Sequence, residues 1–419
     1  MVLAQIIMVL ALILMISGKV PLYLTAIIGS ITAAIVAGFP LAGPGQTVAG
    51  LLQGSLHPVI LDMLGVLVFV GVMEKAGFLN AIIFRLMHAG AKMGGGPGVV
   101  TAGGISAGII GGLTGFTQPA ITGVITGPPA IKLGVDKNIA AGILAHAGHL
   151  GNFGGFTHPT IVAIIATAGI TFGTINIVGA LTALSIFALS YIRLRRIMQK
   201  EGLSVTGANV KFDNEENTNI PFLKAIFPFI VLLAGFIAGI PVVVMGLASA
   251  LLTICISSRN FKTGEKDMLD GLTRITVPLF ATITFLFMGA IINAVGLSAM
   301  IGNALEPFLD VAPITMMFIV GSLAGLILQS NAASIPIVVP FLTIVLATGV
   351  NPVVAAIAAA AGPAIMQYYL SGGPVAALAT VIPIIPGSDL KVANSFQRPS
   401  ILFGLLVAYL LTMLVALIF

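Results

Sequence analysis

The residues able to do chemistry in this chain gather in four short polar segments set in apolar surroundings. GGLTGFTQPAITG (111–123) offers Thr114, Gly115, Thr117 and Gln118, and GLILQSNAASIPIV (325–338) offers Gln329, Ser330, Asn331 and Ser334. HAGHLGNFGGFTHP (146–159) offers His146, His149, Asn152, Thr157 and His158, and AGPAIMQYYLSGGP (361–374) offers Gln367, Ser371 and Gly372. None of the four contains Lys, Arg, Asp or Glu. Hydroxyls, amides and imidazoles can hold a polar solute by hydrogen bonds, and an anion bound there would also need the amides and positive dipole end of a helix N-terminus. Each single Ser or Thr has a plainer use, a bond back to a carbonyl of its own helix. Two such segments that match each other and are polar in apolar surroundings favour function.

The histidines His146, His149 and His158 stand at i, i+3 and i+12. The first two can share a helical face, and His titrates near neutral pH, so one of the three is a candidate to carry a proton. The alternative is three neutral rings tied to backbone carbonyls. No acid supports them as a zinc site, so neither metal nor cofactor is expected. Asp62 stands near one apolar span, either at an outer interface or as a coupling group. His57 and His88 read as interfacial. The single cysteine, Cys255, excludes an internal disulfide and reads as a small buried hydrophobe. HExxH, GxSxG and paired acids within spans are all missing, so no enzyme is expected.

The elements that must position these groups follow from composition. Of 419 residues, 58% are hydrophobic and 7% charged. A soluble domain carries about 25% charged residues. Apolar runs recur at the roughly 20 residues of a bilayer-crossing helix, which makes this an all-α polytopic membrane protein. The first run, 2–17, lacks a basic flank and cleavage site and reads as a retained helix. The net charge of +5 comes without a basic cluster interleaved with aromatics, so no nucleic acid is expected as partner.

Half one has apolar spans near 2–17, 22–39 and 58–74, an amphipathic stretch at 76–91, two polar-broken segments and a closing span near 172–192. Half two repeats the order with spans near 223–240, 241–257 and 276–294, a stretch at 297–309 and a closing span near 400–418. GVMEKAGFLNAI (71–82) matches GAIINAVGLSAMI (289–301), and Gly134-Val135 matches Gly349-Val350. The repeats are therefore 1–192 and 221–419, joined by a polar linker at 193–220. Each is expected to hold three membrane-crossing helices, an interfacial helix, a re-entrant hairpin, a broken helix and a final crossing. With the N-terminus outside, all 18 Lys and Arg fall on the cytoplasmic side together with the linker, as the positive-inside rule requires. An odd number of crossings per half makes the repeats inverted, and discontinuous helices at matched positions mark a transporter's midplane site.

GVMEKAGF (71–78) and SNAASIPIVVP (330–340) resemble motifs of the ion transporter superfamily, whose members are elevator-type secondary carriers of organic anions. The second is similar to the Ser-Asn-Thr hairpin tip of its citrate and dicarboxylate carriers, with Ala332 in the place of Thr. The first tip lacks the Ser-Asn pair. AAGILAHAGHLGNFGGFTHPTIVAI (140–164) most resembles the gluconate permease family, keeping its Gly-His and His-Pro but not its paired prolines. The resemblance implies uptake of a sugar acid or small carboxylate by proton symport, in a homodimer of a prokaryotic plasma (inner) membrane. It implies a scaffold at 1–95 and 221–312 and a moving part at 96–192 and 313–419. The substrate-binding set is then Thr114, Gly115, Thr117, Gln118, Asn152, Thr157, Ser330, Asn331, Ser334, Gln367, Ser371 and Gly372, with His146, His149 and His158 for the proton. Sodium coupling and a cation/proton antiporter of the same architecture are the alternatives.

Overall fold

The computed structural model of the chain describes residues 1–17, 19–114, 119–212, 220–370 and 381–419, which form helices and their connections with no strand among them. The first-half spans become α1 (Val2–Ile16), α2 (Leu22–Val36) and α4 (Val59–Lys75). Their second-half equivalents are α11 (Phe222–Ile237), α12 (Val242–Ile256) and α14 (Thr276–Ala294). Pro21 and Pro241, in extended backbone, start α2 and α12 alike. A proline at a helix start forfeits no intrahelical bond. Two short helices unforeseen in the sequence, α3 (Val48–Gln53) and α13 (Phe261–Leu272), precede the third spans. They are too short, and α13 too charged, to stand out as apolar runs.

The repeat is written most clearly in its turns. Gly77 and Gly296, both at φ +76°, end α4 and α14. Gly134 (φ +88°) and Gly349 (φ +84°) end the two hairpins. Two residues later, Asp136 and Asn351 cap the next helices, α7 (Lys137–Ala145) and α18 (Pro352–Met366), each accepting from a backbone N–H inside its helix. The left-handed region excludes most side chains, which is why glycine stands at these matched turns.

The amphipathic pattern at 76–91 predicts a separate interfacial helix. In α5 (Phe78–Thr114) this stretch is set off from the first arm of the hairpin by a sharp kink at Gly94 and Gly95, whose backbone is non-helical. There the chain doubles back so tightly that a Cβ on Gly98 would lie 1.8 Å from the Gly90 carbonyl oxygen. The hairpin returns through α6 (Pro119–Lys132). In half two the corresponding pieces stay separate, as α15 (Leu297–Leu309), α16 (Pro313–Leu328) and α17 (Asn331–Ala347).

The broken helix of half one runs as α7, α8 (Ala147–Phe153) and α9 (Pro159–Ala168), with a non-helical gap at 154–158. The halves close with α10 (Thr174–Lys200) and α19 (Leu390–Ile418). Small residues let these helices touch backbone to backbone: a Cβ on Gly362 of α18 would meet the Ser322 nitrogen of α16 at 2.2 Å. Outer faces are apolar, as with Leu402, Leu406, Leu410 and Leu414 of α19, which suits lipid rather than water. Four stretches, Phe78–Thr114, Thr174–Lys200, Phe261–Ala294 and Leu390–Ile418, are long and apolar enough to cross a bilayer. The shorter apolar helices include the hairpin arms and half-helices, which need cross only part of one. Cys255 is exposed rather than buried. It continues the outward stripe of Val244, Leu247 and Leu251 on α12, where an apolar neighbourhood means lipid and not core.

Asp62 has a structural partner on the neighbouring helix. Its carboxylate accepts from the Val243 N–H at 2.9 Å, capping α12, whose own leading residue Pro241 has no capping group.

The two hairpins are docked at unequal depth. The C-terminal end of α4 shares a cavity with Thr114 and Thr122, which flank the first hairpin's tip. The equivalent end of α14, at Asn293, shares its cavity with Thr343 to Thr348, at the far end of α17. Counted back from the matched turn glycines Gly134 and Gly349, the second contact lies roughly six residues further along, about 9 Å of helix.

Candidate functional site

The second hairpin's tip is the focus of the site. Gln329 closes α16 at φ +49°, and among the described residues it is the non-glycine with positive φ. Such a conformation costs energy and persists where surroundings enforce it. Ser330 caps α17 by accepting from the Ala333 N–H at 3.3 Å. Asn331, 2% exposed, ties three segments together. Its backbone N–H donates to Gln367 Oε1 (2.9 Å), at the end of α18. Its side-chain Nδ2 lies 3.4 Å from the Asn152 carbonyl and 3.3 Å from His158 Nδ1. Ser334 is fully buried and bonds back to the Ser330 carbonyl at 2.9 Å.

His158 caps α9, accepting from the Thr160 N–H at 3.3 Å through the same Nδ1 that faces Asn331. Two donors aimed at one ring nitrogen require it to be unprotonated. The N-termini of α9 and α17 therefore face each other across the His158–Asn331 contact, and the positive ends of two helix dipoles converge on one buried polar locus.

Tyr368, absent from the sequence-based set, holds the break of half one in place. Its hydroxyl accepts from Asn152 Nδ2 at 2.8 Å, and its ring meets the His149 ring edge-on at 4.5 Å between centroids. A Cβ on Gly148 would lie 1.9 Å from that hydroxyl, so the close approach requires glycine. His149 Nδ1 donates to the Ala364 carbonyl (3.3 Å). His146 Nε2 donates to Ser190, which donates to Ser400 at 2.7 Å. Both rings are thus fixed by protein partners away from the tip. Asn176 at the start of α10 donates to the Gly155 carbonyl (2.8 Å), and Asn394 near the start of α19 donates to the Tyr368 carbonyl (3.1 Å). Each closing helix thus lends an asparagine to the break of its own half. The signal available in the sequence is one amide near the start of each closing helix.

The structure brings together Asn152, His158, Asn331 and Gln367, with Ser330 and Ser334 in the same tip. Thr157 joins from the loop, its hydroxyl 3.3 Å from the Gly112 carbonyl of the first hairpin. Thr114 bonds back to the Ile110 carbonyl at 2.9 Å and lines a cavity beside the first hairpin. Gly115, Thr117, Gln118, Ser371 and Gly372 lie outside the described residues. Within the site, Gln329 Oε1 and Asn331 Oδ1 are buried acceptors with no partner among the described residues. Unpaired buried oxygens of this kind suit hydroxyl donors or a cation.

The sequence matches no known protein-family profile and no curated protein. Its fold is nevertheless similar to solved transporters. The YdaH transporter of Alcanivorax borkumensis, described as having an unusual topology, aligns at a TM-score of 0.59 and 17% identity over 88% of this chain and 87% of that one. MtrF of Neisseria gonorrhoeae, described as illuminating a class of antimetabolite efflux pumps, aligns at 0.56 and 14% over 94% and 95%. The chain has the fold of a multi-pass membrane transporter.

Proposed function

We propose that the chain is a secondary carrier of a small organic anion, a sugar acid or similar carboxylate, coupled to protons and working by an elevator-like slide. Belonging to the ion transporter superfamily and acting as a homodimer in a prokaryotic inner membrane are parts of the same proposal. The observation that carries it is the meeting of two half-helix N-termini at Asn331 and His158. In a site with no Lys or Arg among its described residues, those dipole ends attract a carboxylate. The unpaired oxygens of Gln329 and Asn331 accept from substrate hydroxyls, which favours a hydroxylated acid over a plain one.

The unequal docking of the hairpins supports the slide. Equivalent pieces sit at different heights against the outer helices, and exchanging the two arrangements would carry the site toward the opposite face. His158 supplies the coupling. A proton on Nδ1 would remove the acceptor shared by the Thr160 and Asn331 donors, freeing the hairpin tip. Sodium coupling is the second reading, favoured by the two unpaired oxygens, which are hard ligands.

Reconstituted protein and labelled gluconate, succinate and citrate test this together. Uptake into vesicles should rise with an inward proton gradient and be indifferent to sodium. A gradient of sodium alone driving uptake would select the second reading. Counterflow from preloaded vesicles reads export, the direction described for the pumps of the MtrF class. If cations move and no carboxylate does, the anion reading is wrong.

A further inference from the structure

A base from outside the apolar spans stands beside the first hairpin. Arg274, in the turn Thr273–Ile275 that joins α13 to α14, places its guanidinium 2.6 Å from Glu74 at the end of α4. Both side chains line a cavity of about 290 Å³, near the lower end of the roughly 300–1,000 Å³ of small-molecule sites. The lining also includes Thr114 and Thr122, on the two arms of the first hairpin. Thr122 is fully buried, and its Oγ1 has no hydrogen-bond partner among the described residues. A buried hydroxyl left unpaired is costly, and a ligand that opens the cavity wall onto it would satisfy it. The ion pair facing it is 32% and 39% exposed, the kind that contributes little stability and exchanges partners readily.

We infer that this cavity is a carboxylate-docking site on the transport path. Arg274 binds the anion through its two-pronged guanidinium, Thr122 donates its hydroxyl, and Glu74 occupies Arg274 while the cavity is empty. The arriving carboxylate displaces one of its own kind, so the exchange needs no bare cation in the vestibule. Because Arg274 belongs to the outer helices and Thr122 to the hairpin, an anion held by both bridges the two parts. The inference rests on the organic-anion reading above.

Binding of gluconate, succinate and citrate to the purified full chain, followed by thermal shift and titration calorimetry, tests it. Glu74→Gln frees Arg274, so the carboxylate that shifts the wild type should bind at least threefold tighter. A merely structural ion pair would give weaker binding or none of this gain. Arg274→Gln should weaken binding about tenfold, the worth of one charge-assisted contact. Arg274→Lys should recover part of the loss. If the wild type responds to a carboxylate and Glu74→Gln binds it no more tightly, the docking site is overturned while the anion reading stands. The Glu74→Gln comparison decides the matter even where Arg274→Gln fails to fold. If no carboxylate stabilises the wild type, the anion reading falls and this site with it.

Discussion

At the scale of single residues, the three histidines are not equivalent, and their surroundings say which could carry a proton. His146 and His149 each spend a ring proton on a fixed partner, Ser190 and the Ala364 carbonyl. Of the three, His158 is the one that faces the hairpin tip, its Nδ1 accepting from two donors. Asparagine at 158 would still cap α9 through its side-chain oxygen and still accept from Asn331, but it cannot take up a proton. His158→Asn should therefore keep the melting temperature within a few degrees and still bind substrate, while uptake stops responding to a pH gradient. His146→Gln should do the reverse, costing about 1–2 kcal/mol of stability by removing the ring's bond to Ser190, with the gradient response intact. A pH-driven rate that survives His158→Asn would remove the histidine from the mechanism. The i, i+3, i+12 spacing locates all three rings but cannot separate them, because the partners that fix two of them lie 44 and 215 residues away in sequence.

At the scale of elements, apolar runs and turns are legible in the sequence and contacts are not. The stretch at 297–309 forms α15 with those bounds, and the matched Gly-Val turns are left-handed glycines followed by caps. The stretch at 76–91 forms the first part of α5, set off by the kink at Gly94 and Gly95, past which the chain packs back against it. Tyr368 escapes a sequence reading because an aromatic beside an apolar helix reads as core, and only the neighbouring half reveals what its hydroxyl holds. Glycine spacing carries more than the sequence can show. Gly325 and Gly362 bring α16 and α18 within backbone contact, and that contact sets Gln367 beneath the Asn331 N–H. Gly362→Ala places a methyl 2.2 Å from the Ser322 nitrogen, so the helices must part. The expected result is a melting temperature lower by several degrees and loss of substrate-induced stabilisation. Gly148→Ala should lose substrate binding too, by pushing the Tyr368 hydroxyl off Asn152. Full ligand protection in either variant would show that the site tolerates looser packing than this geometry requires.

At the scale of the whole molecule, the unequal docking of two matched hairpins is a statement about a second conformation. Glu74 lies in one cavity with Thr122, while its counterpart Asn293 lies with Thr343 to Thr348 instead of with Ser334, which stands as far into α17 as Thr122 stands into α6. If the repeats exchange arrangements during transport, Asn293 and Ser334 must approach as Glu74 and Thr122 separate. Cys255 is the chain's single cysteine, so Cys255→Ser gives a background in which introduced pairs report alone. In membranes, Glu74→Cys with Thr122→Cys should cross-link with a short bifunctional maleimide in the state seen here, and Asn293→Cys with Ser334→Cys should cross-link only in the other. Substrate and proton should shift the ratio of the two products, since a ligand moves a two-state equilibrium only by binding the states unequally. Locking either pair should stop exchange. An active carrier in which the 293–334 pair never forms would rule out the slide, because the repeat relation leaves that approach as its necessary consequence.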